Sequence, residues 1–342
     1  MIAAFTLAGI ATTMLGPLMP RFQARWHIGD APAGLLFMAQ FLLSVLSAAA
    51  VGPLSRRYGY RRVVASGLLL IAAGATGCAV APWPLVLAAV AAYGCGLGLV
   101  IPAGNLATPS ARNVMLLNLA WCAGAVLAPI LIAILGKFFL WALASAALAS
   151  AVQVQYMQDL PAPRPQPPRR GTAPLTAAFL FLYVGTETSI AGWVSAYAVR
   201  TPAASSLWAA IPTVFWLAML LGRATAPALL KRVRPQVLLR ASLLCAFAGA
   251  CLLIGTRWQL PAGALSGLGL AAVFPLVVSE YADTGLVFSA AGCGGAVLPP
   301  LVGFISQSTG SLRLAMSSVL IWLAAMAWLQ LRLARSLTKA KG

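Results

Sequence analysis

Of the 342 residues, 61% are hydrophobic and 8% are charged, whereas a soluble domain carries about 25% charged residues. With a mean hydropathy of +0.91, a soluble globule is excluded. The net charge of +18 does not point to nucleic acid, because the lysines and arginines sit between apolar runs instead of clustering on one face.

The chain is apolar from Met1, and the run passes the length of a cleavable signal without a small-residue cleavage site, so it reads as a first membrane helix. A span needs about 20 mostly apolar residues. That window predicts spans near 2–20, 33–54, 62–80, 84–107, 113–135 and 138–157. Six more follow near 174–198, 205–229, 236–255, 260–281, 285–307 and 312–333. The expected fold is an all-α membrane protein of twelve transmembrane helices in two six-helix bundles, residues 1–157 and 174–342. Between them, residues 158–173 are rich in Pro and Arg and read as an extended cytoplasmic linker.

Charge sets the orientation. With a cytoplasmic N-terminus, the inside collects Arg56, Arg57, Arg61, Arg62, Arg112, the linker arginines and the basic residues of 231–240 and 332–341. The outside collects only Arg21, Arg25, Lys137, Arg200, Arg257 and Arg313. This obeys the positive-inside rule with both termini cytoplasmic, as in a multi-pass protein of the cell inner membrane.

The two halves repeat. Gly9–Gly16 aligns with Gly185–Gly192, Gly96–Leu99 with Gly267–Leu270, and Ala125–Pro129 with Ala296–Pro300, in one order and at nearly constant offset. Parallel repeats of this kind are a transporter architecture. Within the helices, Pro102, Pro129, Pro275, Pro299 and Pro300 loosen the backbone ladder.

Between the second and third spans lies a loop, Gly52-Pro-Leu-Ser-Arg-Arg-Tyr-Gly-Tyr-Arg-Arg62. It resembles the signature of the major facilitator superfamily, and Ala226–Pro235 is a weaker copy in the second half. The resemblance implies the major facilitator fold and gives Gly52, Arg56, Arg57, Gly59, Arg61 and Arg62 a gating role. The family's acidic residue is replaced here by Ser55 or Arg56, so its usual charge relay does not carry over, although Ser55 could cap a helix N-terminus. The basic cluster also holds the loop to an anionic membrane face. Within the superfamily, Leu117–Pro129 and the stretch around Glu187, Gly192 and Trp193 are similar to fucose-permease-like sugar transporters. Their frequent acidic residue in the first span is absent from Thr6–Met19.

Polar residues in cavity-lining spans are the substrate-binding candidates: Gln40, Asn105, Asn118 and Trp121 in the first half, with Glu187, Trp193 and Trp216 in the second. Amides exchange paired hydrogen bonds with vicinal hydroxyls. Asn118 and Trp121, three apart, share a helix face. The same side chains could instead bond between helices or anchor at the membrane interface. Glu187 is the acidic residue well inside a membrane-length run, and a carboxylate there marks a site. It is the expected proton carrier. Arg223 lies in the eighth span, where it could snorkel, or pair with Glu280 or Asp283 as a structural pair or inside gate.

The six cysteines fall in apolar segments without a CxxC pattern, and His27 is the one histidine, so neither disulfides nor a metal site are indicated. No GxxxxGK[ST] loop occurs, and no catalytic constellation suggests an enzyme or a cofactor. The expectation is a monomeric secondary active transporter. It would move a small neutral solute, foremost a monosaccharide, by alternating access, as a symporter with protons coupled through Glu187. A drug/proton antiporter for lipophilic cations and a sugar uniporter are the alternatives, and lipids and protons the other partners.

Overall fold

The structure, a computed structural model, describes residues 1–108, 110–156, 173–281 and 285–341. Among the described residues fifteen α-helices follow in order. The first seven are α1 (Ile2–Thr13), α2 (Leu15–Trp26), α3 (Asp30–Tyr58), α4 (Tyr60–Val80), α5 (Val86–Leu106), α6 (Ala111–Leu135) and α7 (Phe139–Gln155). Then come α8 (Ala173–Val199), α9 (Ala210–Leu229), α10 (Pro235–Gly255), α11 (Gln259–Ala271), α12 (Val273–Tyr281), α13 (Gly285–Thr309), α14 (Leu312–Met316) and α15 (Ser318–Lys341). The predicted linker lies outside the described residues, save for Ala173.

Among the described residues ten helices are long and apolar enough to cross a membrane, and α1 with α2 adds one if that bent pair is a single span. One of the ten, Arg112–Gln155, is 44 residues long. At about 1.5 Å per residue it would be roughly twice as long as a bilayer core is thick. Gly136, with φ +56°, breaks it into α6 and α7. The fold is therefore the predicted twelve-span one.

Two expectations are corrected in detail. The first span does not stop near residue 20: α1 and α2 meet at 46° and run on to Trp26. Pro17, with no N–H, cannot bond the carbonyl of Thr13, and the ladder bends there. Arg21 and Arg25 are accordingly helical, donating to the carbonyls of Ile132 (3.2 Å) and Cys78 (3.0 Å). Second, the stretch from Gly52 to Arg62 is not a loop. Helix α3 runs through Pro53 to Tyr58, and α4 begins at Tyr60. Gly59 alone makes the corner, at φ +82°, a region open to glycine and costly for other residues. The tenth span keeps its expected extent, Gln259–Ser279, with a one-residue interruption at Ala272 between α11 and α12, where Pro275 has no N–H for Ala271.

The chain forms two compact units. One holds residues 1–28 and 35–166, the other 29–34 and 167–342. Their internal packing matches. In the first unit α1 lies on α6, and α4 on both α5 and α7; in the second α8 lies on α13, and α10 on both α11 and α15. Small residues make these contacts close. A Cβ on Gly9 would lie 2.0 Å from the Trp121 carbonyl oxygen, and one on Gly294 1.9 Å from that of Phe181. The sequence repeat is thus a repeat of helix seams.

Residues 29–34, the first turn of α3 and the glycine before it, are built into the second unit. Asp30 is buried there. Its carboxylate accepts from both guanidinium nitrogens of Arg200 and from the Ser306 hydroxyl at 2.6 Å. The Ala31 N–H donates to the Gln307 amide oxygen at 2.9 Å, satisfying one of the orphan donors of a helix start.

Candidate functional site

In the second unit, the site grows from α8. Tyr183 and Glu187 are four residues apart and share a face. Both are buried. Facing them from α9 is Arg223, whose guanidinium nitrogen lies 3.8 Å from a Glu187 carboxylate oxygen and 3.4 Å from the Tyr183 hydroxyl. The sequence allowed Arg223 a partner in Glu280 or Asp283. In the structure Arg223 faces Glu187; Asp283 and the Glu280 side chain lie outside the described residues. A carboxylate and a guanidinium at membrane depth each lower the cost of the other.

The Tyr183 hydroxyl donates onward to the Leu270 carbonyl at 3.1 Å. Leu270 is two residues before the break between α11 and α12, and the Tyr183 ring lies 5.7 Å from that of Phe274 just beyond it. One short network therefore joins an intramembrane acid, a base and a proline-broken span. Beside Glu187, the hydroxyls of Thr186 and Ser189 are buried and have no hydrogen-bond partner among the described residues.

Trp193 and Trp216 are placed as follows. The Trp193 indole N–H donates to the Pro299 carbonyl at 2.9 Å and its ring is fully buried against α13. Trp216 is buried, edge-on to Phe215.

In the first unit, Asn105 at the end of α5 and Asn118 on α6 come together, with the Asn118 amide nitrogen 3.5 Å from the Asn105 amide oxygen and 2.8 Å from the Val114 carbonyl. Asn118 is exposed. Trp121 follows one turn on, at the α6–α1 seam where Gly9 meets its backbone. Gln40 is placed differently. Its amide nitrogen donates to the Thr12 carbonyl at 3.0 Å and its amide oxygen accepts from Tyr93 at 2.9 Å, so both ends are engaged in tying α3 to α1 and α5. At 1% exposure it offers nothing to a ligand in this arrangement.

The six signature residues occupy the α3–α4 corner, with Gly52, Arg56 and Arg57 in the last turns of α3 and Arg61 and Arg62 in the first of α4. Ser55 does not cap α4. Its hydroxyl is buried without a hydrogen-bond partner among the described residues, and the N-cap of α4 is Gly59. Residue order alone concealed the Glu187–Arg223 pair and the Asp30–Arg200–Ser306 cluster. Asp30 did carry a helix-start signal, an acid immediately before a long apolar run.

Comparisons agree with this architecture. The Major Facilitator Superfamily profile matches residues 1–283. No curated protein matches the chain. Among solved structures, a bacterial homologue of the human lysosomal transporter Spinster, inward-facing and occupied, is 13% identical with a TM-score of 0.79, covering 99% of this chain and 96% of its own. The Escherichia coli fucose:proton symporter FucP is 17% identical with a TM-score of 0.65, covering 96% of each. The nucleoside transporter NupG is 11% identical with a TM-score of 0.77, covering 97% of this chain and 98% of its own. At such identities the likeness is one of fold.

Proposed function

The chain belongs to the Major Facilitator Superfamily, and from that premise we propose that it is a secondary transporter carrying a small neutral solute, foremost a monosaccharide, with Glu187 as its proton carrier. The observation that carries this reading is the Glu187–Arg223 pair. At 3.8 Å it is an ion pair without a short hydrogen bond. A buried carboxylate must be neutralised, and here a proton and a guanidinium compete to do it. When the proton wins, Arg223 is left to Tyr183, whose hydroxyl rests on the carbonyl of Leu270 beside the broken span. Protonation thereby changes what holds the break between α11 and α12, the element that this reading takes as the switch.

The paired amides of Asn105 and Asn118 support a polyhydroxylated solute, since carboxamides both donate to and accept from neighbouring hydroxyls. The antiporter reading needs aromatic faces open to a cation, and Trp193 and Trp216 are buried in packing. We place the protein in the cell inner membrane as a monomer with both termini cytoplasmic, its halves being 1–157 and 174–342, on the charge asymmetry of its helix ends.

The test is uptake of radiolabelled glucose, galactose and fucose into proteoliposomes, with and without an inward proton gradient, for the native chain and Glu187→Gln. Gradient-driven accumulation that the variant loses while it retains exchange supports the symporter. Sugar flux indifferent to gradient and variant makes the protein a uniporter. Absence of sugar flux, with export of cationic dyes, makes it an antiporter.

A further inference from the structure

The α3–α4 corner encloses a crevice that the transport reading does not use. Its volume is about 390 Å³, within the range of small-molecule sites, and it is lined by Leu54, Tyr58, Arg62, Val63, Ser66 and Leu99. All six belong to the first unit. Leu54, Val63 and Leu99 make an apolar floor, while Tyr58, Arg62 and Ser66 are exposed at its rim. Arg62 and Ser66, four apart on α4, stand one above the other. Gly59 brings Tyr58 round to them by turning the chain in a single residue. The crevice thus pairs a hydrocarbon surface with a guanidinium and two hydroxyls at a helix end.

Charge selects the occupant. The stretch 52–62 contains four arginines and no acid. Arg62 enters neither of the ion pairs found among the described residues. A neutral lipid would leave its charge unmatched, and a small free anion would leave the apolar floor wet. We propose that this crevice binds one anionic phospholipid, its phosphate held by Arg62, Tyr58 and Ser66 and the head of an acyl chain lying over Leu54, Val63 and Leu99. Basic pockets between transmembrane helices recognise anionic headgroups in this way. The site is more than diffuse surface attraction, because apolar and charged contacts converge on one molecule.

The experiment uses the full chain, extracted in mild detergent from nanodiscs of phosphatidylcholine with a minor fraction of phosphatidylglycerol, and examined by native mass spectrometry. The native chain should retain one phosphatidylglycerol. Arg62→Gln should lower its retention about fivefold, the factor expected of one basic side chain at an anionic surface. Ser66→Trp, which keeps the charge but fills the rim, should lower it as much. Arg240→Gln, the same charge loss at an exposed position of α10, should change it less than twofold. Equal loss from Arg62→Gln and Arg240→Gln would reduce the effect to general electrostatics and overturn the site. So would full retention by Ser66→Trp, or displacement of the lipid by millimolar inorganic phosphate, which would mark a free-anion site. Melting temperatures of the three variants, measured alongside, separate loss of lipid from loss of fold. Sugar uptake is not the readout, so the result is independent of the proposed transport activity.

Discussion

Arg200, at the end of α8, grips Asp30, the first residue of α3, with two guanidinium nitrogens at 2.8 and 2.5 Å across 170 residues of sequence. The two sides of this pair are unequal, since the Arg200 side chain is 42% exposed and that of Asp30 is 9%. Water can replace Asp30 for the arginine but not the arginine for Asp30. Arg200→Gln should therefore destabilise the protein by about 2 kcal/mol, between the values for exposed and for buried pairs. Asp30→Asn, which still accepts from Ser306, should cost less. Thermal unfolding in detergent at low and high salt measures both, and equal losses would show that the pair is merely a surface contact.

Glu187 and Arg223 should be coupled in stability as well as in transport. Removing either partner leaves the other at membrane depth without its counter-charge, which costs roughly 3 kcal/mol in a buried pair. Glu187→Gln with Arg223→Gln should recover more than about 1 kcal/mol of the summed single losses. Gradient-driven accumulation should stay absent in the double variant. Additive losses in the melting data would mean that the two groups do not depend on one another.

Gln40→Leu should behave as a packing variant. It removes the partners of the Thr12 carbonyl and the Tyr93 hydroxyl, at about 1–3 kcal/mol for buried polar groups left unmet. Substrate KM should remain within twofold. A large rise in KM with an unchanged melting temperature would return Gln40 to the binding site.

The seam glycines make a graded set. Gly9→Ala and Gly294→Ala would each place a carbon about 2 Å from a backbone oxygen. Overpacking of this kind costs about 1–3 kcal/mol or more. Gly255→Ala, with nothing within 4 Å of its added carbon, should leave the melting temperature unchanged or raise it slightly. Equal sensitivity at all three positions would contradict the close helix seams.

The fold was legible because its signals are local and repeated. Twenty-residue apolar windows, interrupting prolines and the three aligned segments found the spans and the two-fold repeat, and Gly9, Gly96, Gly98, Gly185, Gly267 and Gly269 of the aligned segments proved to be seam residues. What stayed hidden depended on three-dimensional encounters. The sequence pointed to Glu187 by its rarity in an apolar run, but nothing in residue order directed Arg223 to it across 36 positions. The α3–α4 stretch looked like a loop because it holds Gly, Pro, Ser and four arginines. Yet Pro53 is accommodated within a long helix, and a single positive-φ glycine suffices to turn the chain. Gln40 was a reasonable cavity residue by type. In the structure its amide oxygen is taken by a tyrosine 53 residues away.

The membership of residues 29–34 in the second unit has a consequence in time. Asp30 is synthesised early, but its hydroxyl partner, Ser306, lies 276 residues later. At about 5–20 residues per second, roughly 14–55 s separate the two at the ribosome. Arg200 is made 170 residues after Asp30, so for the first part of that interval the carboxylate has neither partner and for the rest it lacks its serine. The first turn of α3 is therefore among the last pieces of the second unit to find its place, although it is among the first to be made.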